Sequence, residues 1–192
     1  MSRTEPPGIG RRALLRGAGG AVMGAGALAA VSGCGGHASS GTQIGQAAVD
    51  TDLQILTAAL ALERRTVTAY IAAIPLVPHP FVKGAKAFLS EELAHTGELI
   101  SLIKGAGGRA PDRADTYDLG APPRGPEDVV ALLHSLERLQ IAGYLTWIPR
   151  LSPGPLRAAV STILASDAQH VAVLRVAQGQ PALAAPFVTG HE

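Results

Sequence analysis

Two stretches of this chain are near copies of each other. Residues 60–75 read LALERRTVTAYIAAIP and residues 134–149 read HSLERLQIAGYLTWIP. Leu62, Glu63, Arg64, Tyr70, Ile74 and Pro75 match Leu136, Glu137, Arg138, Tyr144, Ile148 and Pro149 at a constant offset of 74. Downstream, FLSEELAHTGEL at 88–99 lines up with ILASDAQHVAVL at 163–174, at an offset of 75. The chain therefore reads as two copies of one helical hairpin, related by an approximate two-fold axis. A single two-helix unit cannot bury its apolar faces alone, so the copies must pack on each other.

The punctuation agrees with that reading. There is no Asn-Gly hairpin turn and no sustained period-2 alternation. Pro and Gly clusters divide the body into four apolar-periodic segments. The first is expected over about 51–74, stopping at Pro75, and the second from about 81 to 103 or 105, stopping at Lys104-Gly105. The third starts after Gly125, with Pro126, Glu127 and Asp128 in its first turn, and reaches Ile148. The fourth starts near Pro155, with Ser152 as a candidate cap, and reaches about Gln178 or Gly179. Short Pro-containing turns join the first pair and the last pair, whereas residues 106–125 form a connection of about 20 residues without periodicity. Short, long, short is the layout of an all-α antiparallel four-helix bundle with one long crossover between the second and third helices. The tail over 181–192 is expected to be irregular, with Phe187 and Val188 packed across the bundle end.

Composition narrows the function. The 192 residues contain one Cys, which excludes an internal disulfide, a Cys-based iron–sulfur cluster and a Cys-rich zinc fold. From Cys34 onward there are 12 basic and 14 acidic residues, so no basic stripe exists for nucleic acid. No Gly-x-Gly-x-x-Gly follows a strand, so nicotinamide, flavin and nucleotide binding are unsupported. Met1 and Met23 both precede Cys34, which leaves no Met for a haem axial position in the body.

The repeat also duplicates a set of polar groups. The first helix of each copy offers one carboxylate, Glu63 or Glu137. The second offers a carboxylate and an imidazole three residues apart, Glu92 and His95 or Asp167 and His170. Positions i and i+3 share a helix face, so each pair can aim at one spot. Two facing hairpins would then bring four carboxylates and two imidazoles to the bundle centre, the di-metal carboxylate pattern. Four carboxylates balance two Fe(II) in charge, two of them can bridge, and one imidazole per metal leaves a coordination position open. Without metal, such a cluster in an apolar core is costly, because like charges cannot all remain ionised. Glu91 lies four residues before His95 and is the alternative inward group; the register of Asp167 favours Glu92 and leaves Glu91 at the surface. Tyr70 and Tyr144 lie two turns beyond Glu63 and Glu137, as core aromatics or placed to hydrogen-bond a metal-holding carboxylate, with a redox role the alternative. Trp147 is expected in the core near a bundle end. His134 falls near the site but is matched by Leu60, while His37, His79 and His191 lie in tether, loop and tail.

The first 33 residues differ from the rest. Arg3, Arg11, Arg12 and Arg16 against Glu5 give them a charge of +3, and a Gly/Ala-rich apolar run extends from Gly17 to about Ala30. The Arg11-Arg12-Ala13-Leu14-Leu15 stretch resembles a twin-arginine export signal, and Val31-Ser32-Gly33-Cys34 looks like a bacterial lipobox. The apolar run is about 15 residues, short of the roughly 20 that a spanning helix needs. Residues 1–33 are thus expected to be a lipoprotein signal, with Cys34 acylated and holding the protein at the outer face of the bacterial cell membrane. Residues 34–49 are expected to be a flexible tether, and residues 50–180 the bundle.

LALERRTVTAYIAAI, FLSEELAHTGELISLI, LLHSLERLQIAGYL and STILASDAQHVAVLRV together resemble the exported ferritin-like domain proteins of bacteria, over about residues 50–178. The resemblance implies a ferritin-like bundle with two iron ions per chain, manganese being the alternative, held by Glu63, Glu92, His95, Glu137, Asp167 and His170. The family pattern has a glutamate where this chain has Asp167. One methylene fewer would hold the second metal more weakly, asymmetrically or with an extra water. The implied activity is oxidation of Fe(II) by O₂ or peroxide at the cell envelope. The alternative is a non-catalytic metal-binding or structural, stress-related lipoprotein. The implied partners are metal ions, O₂ or H₂O₂, membrane lipid through Cys34, and no nucleic acid, with a homodimer as a candidate assembly.

Overall fold

The computed structural model describes residues 39–152 and 154–191. It is an all-α four-helix bundle of α1 (Ser39–Ala73), α2 (Val82–Gly105), α3 (Pro126–Trp147) and α4 (Pro155–Ala177), with 3₁₀ turns at His79–Phe81 and Ile148–Arg150. Helix α1 packs on α2 and α3, and α4 packs on α3 and α2. Contacts between α1 and α3 run in opposite order along the two helices, Glu63 with Tyr144, Thr66 with Gln140 and Tyr70 with Glu137, so the pair is antiparallel.

The helix ends follow their local chemistry. Helix α1 stops ahead of Pro75, whose ring cannot donate to the helical ladder, and the Ile74 and Val77 amides close its last turn on Tyr70 and Ala73 carbonyls. Helix α3 opens on an extended Gly125, with Pro126 in its first position and Glu127 and Asp128 in its first turn, where acids favour the positive end of the helix dipole. Helix α4 is preceded by Gly154 at φ +94°, a backbone conformation that favours glycine.

Three local expectations are corrected. Helix α1 begins at Ser39, so residues 39–49, read from sequence as part of a tether, are helical. Residues 45–50 are exposed and have no helix to pack on, which is why they carry no apolar period. Their helix propagates from the packed segment at low cost and is supported by Gln46 Nε2–Asp50 Oδ1 at 2.9 Å. Ser152 does not cap α4; its backbone N–H donates instead to the buried Asp52 carboxylate at 2.8 Å, pinning the α3–α4 turn to α1. In the irregular tail, Phe187 is 79% exposed and Val188 is also exposed, so neither packs across the bundle end. The tail is held by Gly190, at φ +80°, where a Cβ would stand 2.7 Å from Arg138 O and the Ala142 side chain. The expected signal over 1–33 and Cys34 lies outside the described residues.

Two apolar layers fill the bundle. One gathers Leu56, Leu60, Leu99, Ile103, Val160 and Ile163, and the other Ala73, Ala85, Val130, Leu133, Leu136 and Leu174. The crossover touches both, through Ala110 and Leu119, and so lies along the bundle. It is fastened to α1 by Arg64, which donates to Pro111 O at 2.8 Å and Asp112 O at 3.1 Å, and by Arg113, which donates to Thr68 Oγ1. Trp147 is partly buried against the first layer. It stands where the other repeat has Ala73, and it is accommodated by Gly143, where a Cβ would meet its ring at 2.9 Å. Among the described residues, no helix is long and apolar enough to cross a membrane.

Candidate metal centre

Between the two apolar layers lies a polar one. Glu63 from α1, Glu92 from α2, Glu137 from α3, and Asp167 and His170 from α4 are all completely buried, and His95 from α2 nearly so. The structure brings all six sequence-predicted residues into one cluster. His95 Nδ1 lies 3.6 Å from Glu63 Oε2, 3.6 Å from Glu92 Oε1 and 3.5 Å from Asp167 Oδ1. His170 Nδ1 lies 3.3 Å from Glu92 Oε1 and 3.2 Å from Glu137 Oε1. Glu92 Oε1 thus stands between the two imidazoles. His134 is buried but outside the cluster, and His79 and His191 are exposed.

Each carboxylate of the two glutamate helices is held from across the two-fold. Tyr70 on α1 donates to Glu137 Oε1 at 2.6 Å, and Tyr144 on α3 donates to Glu63 Oε1. Thr66 donates to Gln140 Oε1 at 2.9 Å, and Gln140 Nε2 donates in turn to Glu92 Oε2 at 3.1 Å. One oxygen of Glu63, Glu92 and Glu137 is therefore occupied and oriented, leaving the other to face the centre. Sequence reasoning overlooked Thr66 and Gln140. Their signal was available, because they are equivalent positions of the repeat, three residues after Glu63 and Glu137 on the same helix face.

Glu92 is the inward member of the Glu91-Glu92 pair. Glu91, expected simply at the surface, is 51% exposed, yet its Oε2 lies 2.6 Å from His170 Nε2. One residue turns the side chain about 100° round a helix, enough to direct Glu91 at α4 while Glu92 points to the centre.

The electrostatics are dominated by burial and by the crowding of four carboxylates. Burial pushes Glu63 up to about 8, opposed by His95 and reinforced by the nearby Glu92 charge. Burial and the Glu92 charge push Glu137 up to about 7. Asp167 is raised far above the usual carboxylate range by burial and then by Glu63, Glu137 and Glu92. Burial would raise Glu92 too, but the facing imidazoles of His170 and His95 outweigh it and hold it well below the usual range. Burial lowers both imidazoles, yet the facing glutamates outweigh it. Glu63 and Glu92 bring His95 to about 9, and Glu137 and Glu92 bring His170 to about 10.

The donor set fits a pair of cations. Glu63 Oε2, Glu92 Oε1, His95 Nδ1, Glu137 Oε2 and both Asp167 oxygens are buried without a hydrogen-bond partner among the described residues. Buried polar atoms ordinarily find partners, so this concentration of bare acceptors marks room for a cation. Glu92, Glu137, Asp167 and His170 offer atoms within 4.8 Å of one another, as do Glu63, Glu92 and His95. The two groups share Glu92. Hard oxygen donors with one imidazole each suit iron or manganese.

An all-α bundle with a long crossover and a buried Glu/Asp/His cluster at its centre is the architecture of the ferritin-like class. The ferritin-like domain family matches residues 51–180, and the chain belongs to that family. A crystal structure of a conserved hypothetical protein from Mycobacterium tuberculosis superposes with a TM-score of 0.65 at 21% identity, covering 72% of this chain and 97% of that one. A crystal structure of ferritin-like, diiron-carboxylate proteins from Bacillus anthracis gives a TM-score of 0.56 at 18% identity, covering 68% of this chain and 96% of that one. No curated protein matches the sequence.

Proposed function

We propose that this chain is a di-metal carboxylate protein that binds two Fe(II) ions and oxidises them with O₂ or peroxide. Glu92 would be shared by the two metals, with Glu63 and His95 holding one and Glu137, Asp167 and His170 the other. The observation that carries this reading is the set of unpartnered, buried oxygens between two apolar layers that exclude water. The similarity to a fold described as diiron-carboxylate supports the choice of iron.

Bound iron supplies the electrons. Two Fe(II) becoming two Fe(III) release two electrons, which reduce O₂ with two protons to H₂O₂, or H₂O₂ with two protons to two waters. The protein's share is positioning and proton handling. Tyr70 and Tyr144 fix one oxygen of Glu137 and Glu63, and Gln140 fixes one oxygen of Glu92, so the donors are aimed before metal arrives. Glu63, raised to about 8, is mostly protonated at neutral pH in the metal-free chain, and Glu137, raised to about 7, is about half protonated; both would release these protons as metal takes their place.

The test is anaerobic addition of Fe(II) followed by admission of O₂. About two irons per chain and a new near-ultraviolet band of oxidised iron are expected, both lost in Glu137→Ala and His170→Ala. Binding below one iron per chain would end this reading. Two irons bound without a band would leave the non-catalytic metal-holding alternative.

The location proposed is the outer face of the cell membrane, through acylated Cys34. What supports it is the Arg11-Arg12 pair, the short apolar run and the Val31-Ser32-Gly33-Cys34 sequence, all outside the described residues. Expressed in a bacterium, the chain is expected in the membrane fraction and Cys34→Ala in the soluble one. Equal partition of both would remove the anchor.

A further inference from the structure

The repeat makes the two halves of the cluster look equivalent, and the structure shows that they are not. About His170, four residues come within 4.8 Å of one another: Glu92, Glu137, Asp167 and His170 itself. About His95 the corresponding set is three, namely Glu63, Glu92 and His95. Asp167 Oδ1 approaches His95 Nδ1 at 3.5 Å but does not join that set. The His170 side chain is 1% exposed and the His95 side chain 11%.

The outer nitrogens differ more sharply. His170 Nε2 lies 2.6 Å from Glu91 Oε2, and Ser166 Oγ donates to the same Glu91 oxygen at 3.3 Å. The Phe88 ring covers His170, with centroids 4.1 Å apart. In the register of the repeat, the position equivalent to Glu91 is Ser166, whose hydroxyl turns to Glu91 instead of bracing His95. Among the described residues, no hydrogen bond is made at His95 Nε2. A carboxylate behind an imidazole fixes its ring orientation and tautomer and raises its basicity toward a metal, typically by 10–100-fold in affinity.

Building on the di-metal reading, we propose that the two positions have different roles. The position at His170 retains its metal as a resident ion, and the position at His95 is the exchangeable one, through which metal enters and leaves. Glu91 is the positioning residue that creates the difference: it acts on the metal through His170 and touches neither ion. The ligand at the exchangeable position is a divalent cation of the Fe(II) or Mn(II) type. In this arrangement the resident ion would hold Glu92 in place for the second ion, so that one metal can exchange without dismantling the other half.

Mn(II), which is not oxidised under these conditions, is the probe. The full chain, loaded with Mn(II), is challenged with excess EDTA, and free and bound Mn(II) are followed by electron paramagnetic resonance. Two ions per chain are expected to leave in separate phases, with rates at least tenfold apart. Glu91→Ala is expected to accelerate the slow phase roughly 10–100-fold while leaving the fast one in place, and Glu91→Gln to fall between. His95→Ala should abolish the fast phase and keep one slowly released ion. The unchanged phase in each variant shows that the bundle is folded. Two ions leaving at one rate would overturn the inequality while leaving the di-metal reading intact, as would equal acceleration of both phases by Glu91→Ala. Fewer than two ions bound by the unaltered chain would overturn both.

Discussion

Asp167→Asn is expected to make the metal-free protein more stable and to abolish its response to metal. Asp167 is completely buried, neither carboxylate oxygen has a hydrogen-bond partner among the described residues, and three other carboxylates surround it. Burial and the charges of Glu63, Glu137 and Glu92 disfavour its ionised form and outweigh the His95 imidazole 3.5 Å from Oδ1. Without a metal ion, the chain must bury that charge among three other carboxylates or protonate the acid at the expense of folding. An amide of the same shape removes the charge, with an expected gain of about 1–3 kcal/mol, the scale of an unsatisfied buried group. For a chain of this size that is on the order of 3–10 °C in melting temperature. With metal present the order should invert. The unaltered protein gains about 4 kcal/mol when metal stands at roughly a thousand times its dissociation constant, and the variant gains little. Thermal unfolding with and without Mn(II) measures both effects. A metal-free variant less stable than the parent would mean that Asp167 has a structural partner, and a variant that melts higher with metal would remove it from the site.

The stability of the metal-free protein is expected to fall as pH rises from about 5 to 9, and metal should cancel that fall. Glu63 at about 8 and Glu137 at about 7 are raised above 4.5, so the folded chain keeps protons that the unfolded chain has lost. Their penalty begins above pH 4.5 and grows until pH passes those raised values. His95 at about 9 and His170 at about 10 are raised above 6.5. Their stabilisation is fully present below pH 6.5 and is lost as pH rises through 9 and 10. All four act in one direction, because the folded state binds more protons than the unfolded state and stability therefore drops with pH. Glu92 acts oppositely, but its stabilisation is lost only at acid pH, outside this window. Metal displaces these protons, so its affinity rises over the same range and binding releases protons. The melting temperatures of loaded and metal-free protein should therefore diverge toward alkaline pH, by roughly 8–16 °C at saturating metal. A flat or rising metal-free melting temperature between pH 5 and 9 would show that the six groups do not form one coupled cluster.

Most of the site was legible because the repeat writes it twice. A lone Glu92 or Asp167 says little, but each appears three residues before a histidine, in register, in a segment of otherwise apolar period. The same logic located the four helices and the crossover, since Pro75, Gly105, Pro126 and Pro155 mark helix ends by backbone chemistry that does not depend on tertiary structure. What escaped lies where the repeat is broken or where packing decides. Glu91 has no acidic twin, only Ser166, so register offered no hint of its contact with His170. Gln140 and Thr66 have a twin relation but differ in type, and their shared hydrogen bond depends on α1 and α3 meeting antiparallel. The exposed start of α1 has nothing apolar to repeat. Phe187 suggested burial by its type alone, whereas the tail is seated by Gly190, a residue whose use is a close backbone approach.

The most direct test of the di-metal centre is anomalous diffraction from crystals soaked in Fe(II) without oxygen, or in Mn(II). Two peaks are expected, about 3.5–4 Å apart as in other two-metal sites, both beside Glu92, one next to Glu63 and His95 and the other next to Asp167 and His170. A single peak on the surface, or none among these six side chains, would contradict the assignment of this cluster as a metal centre.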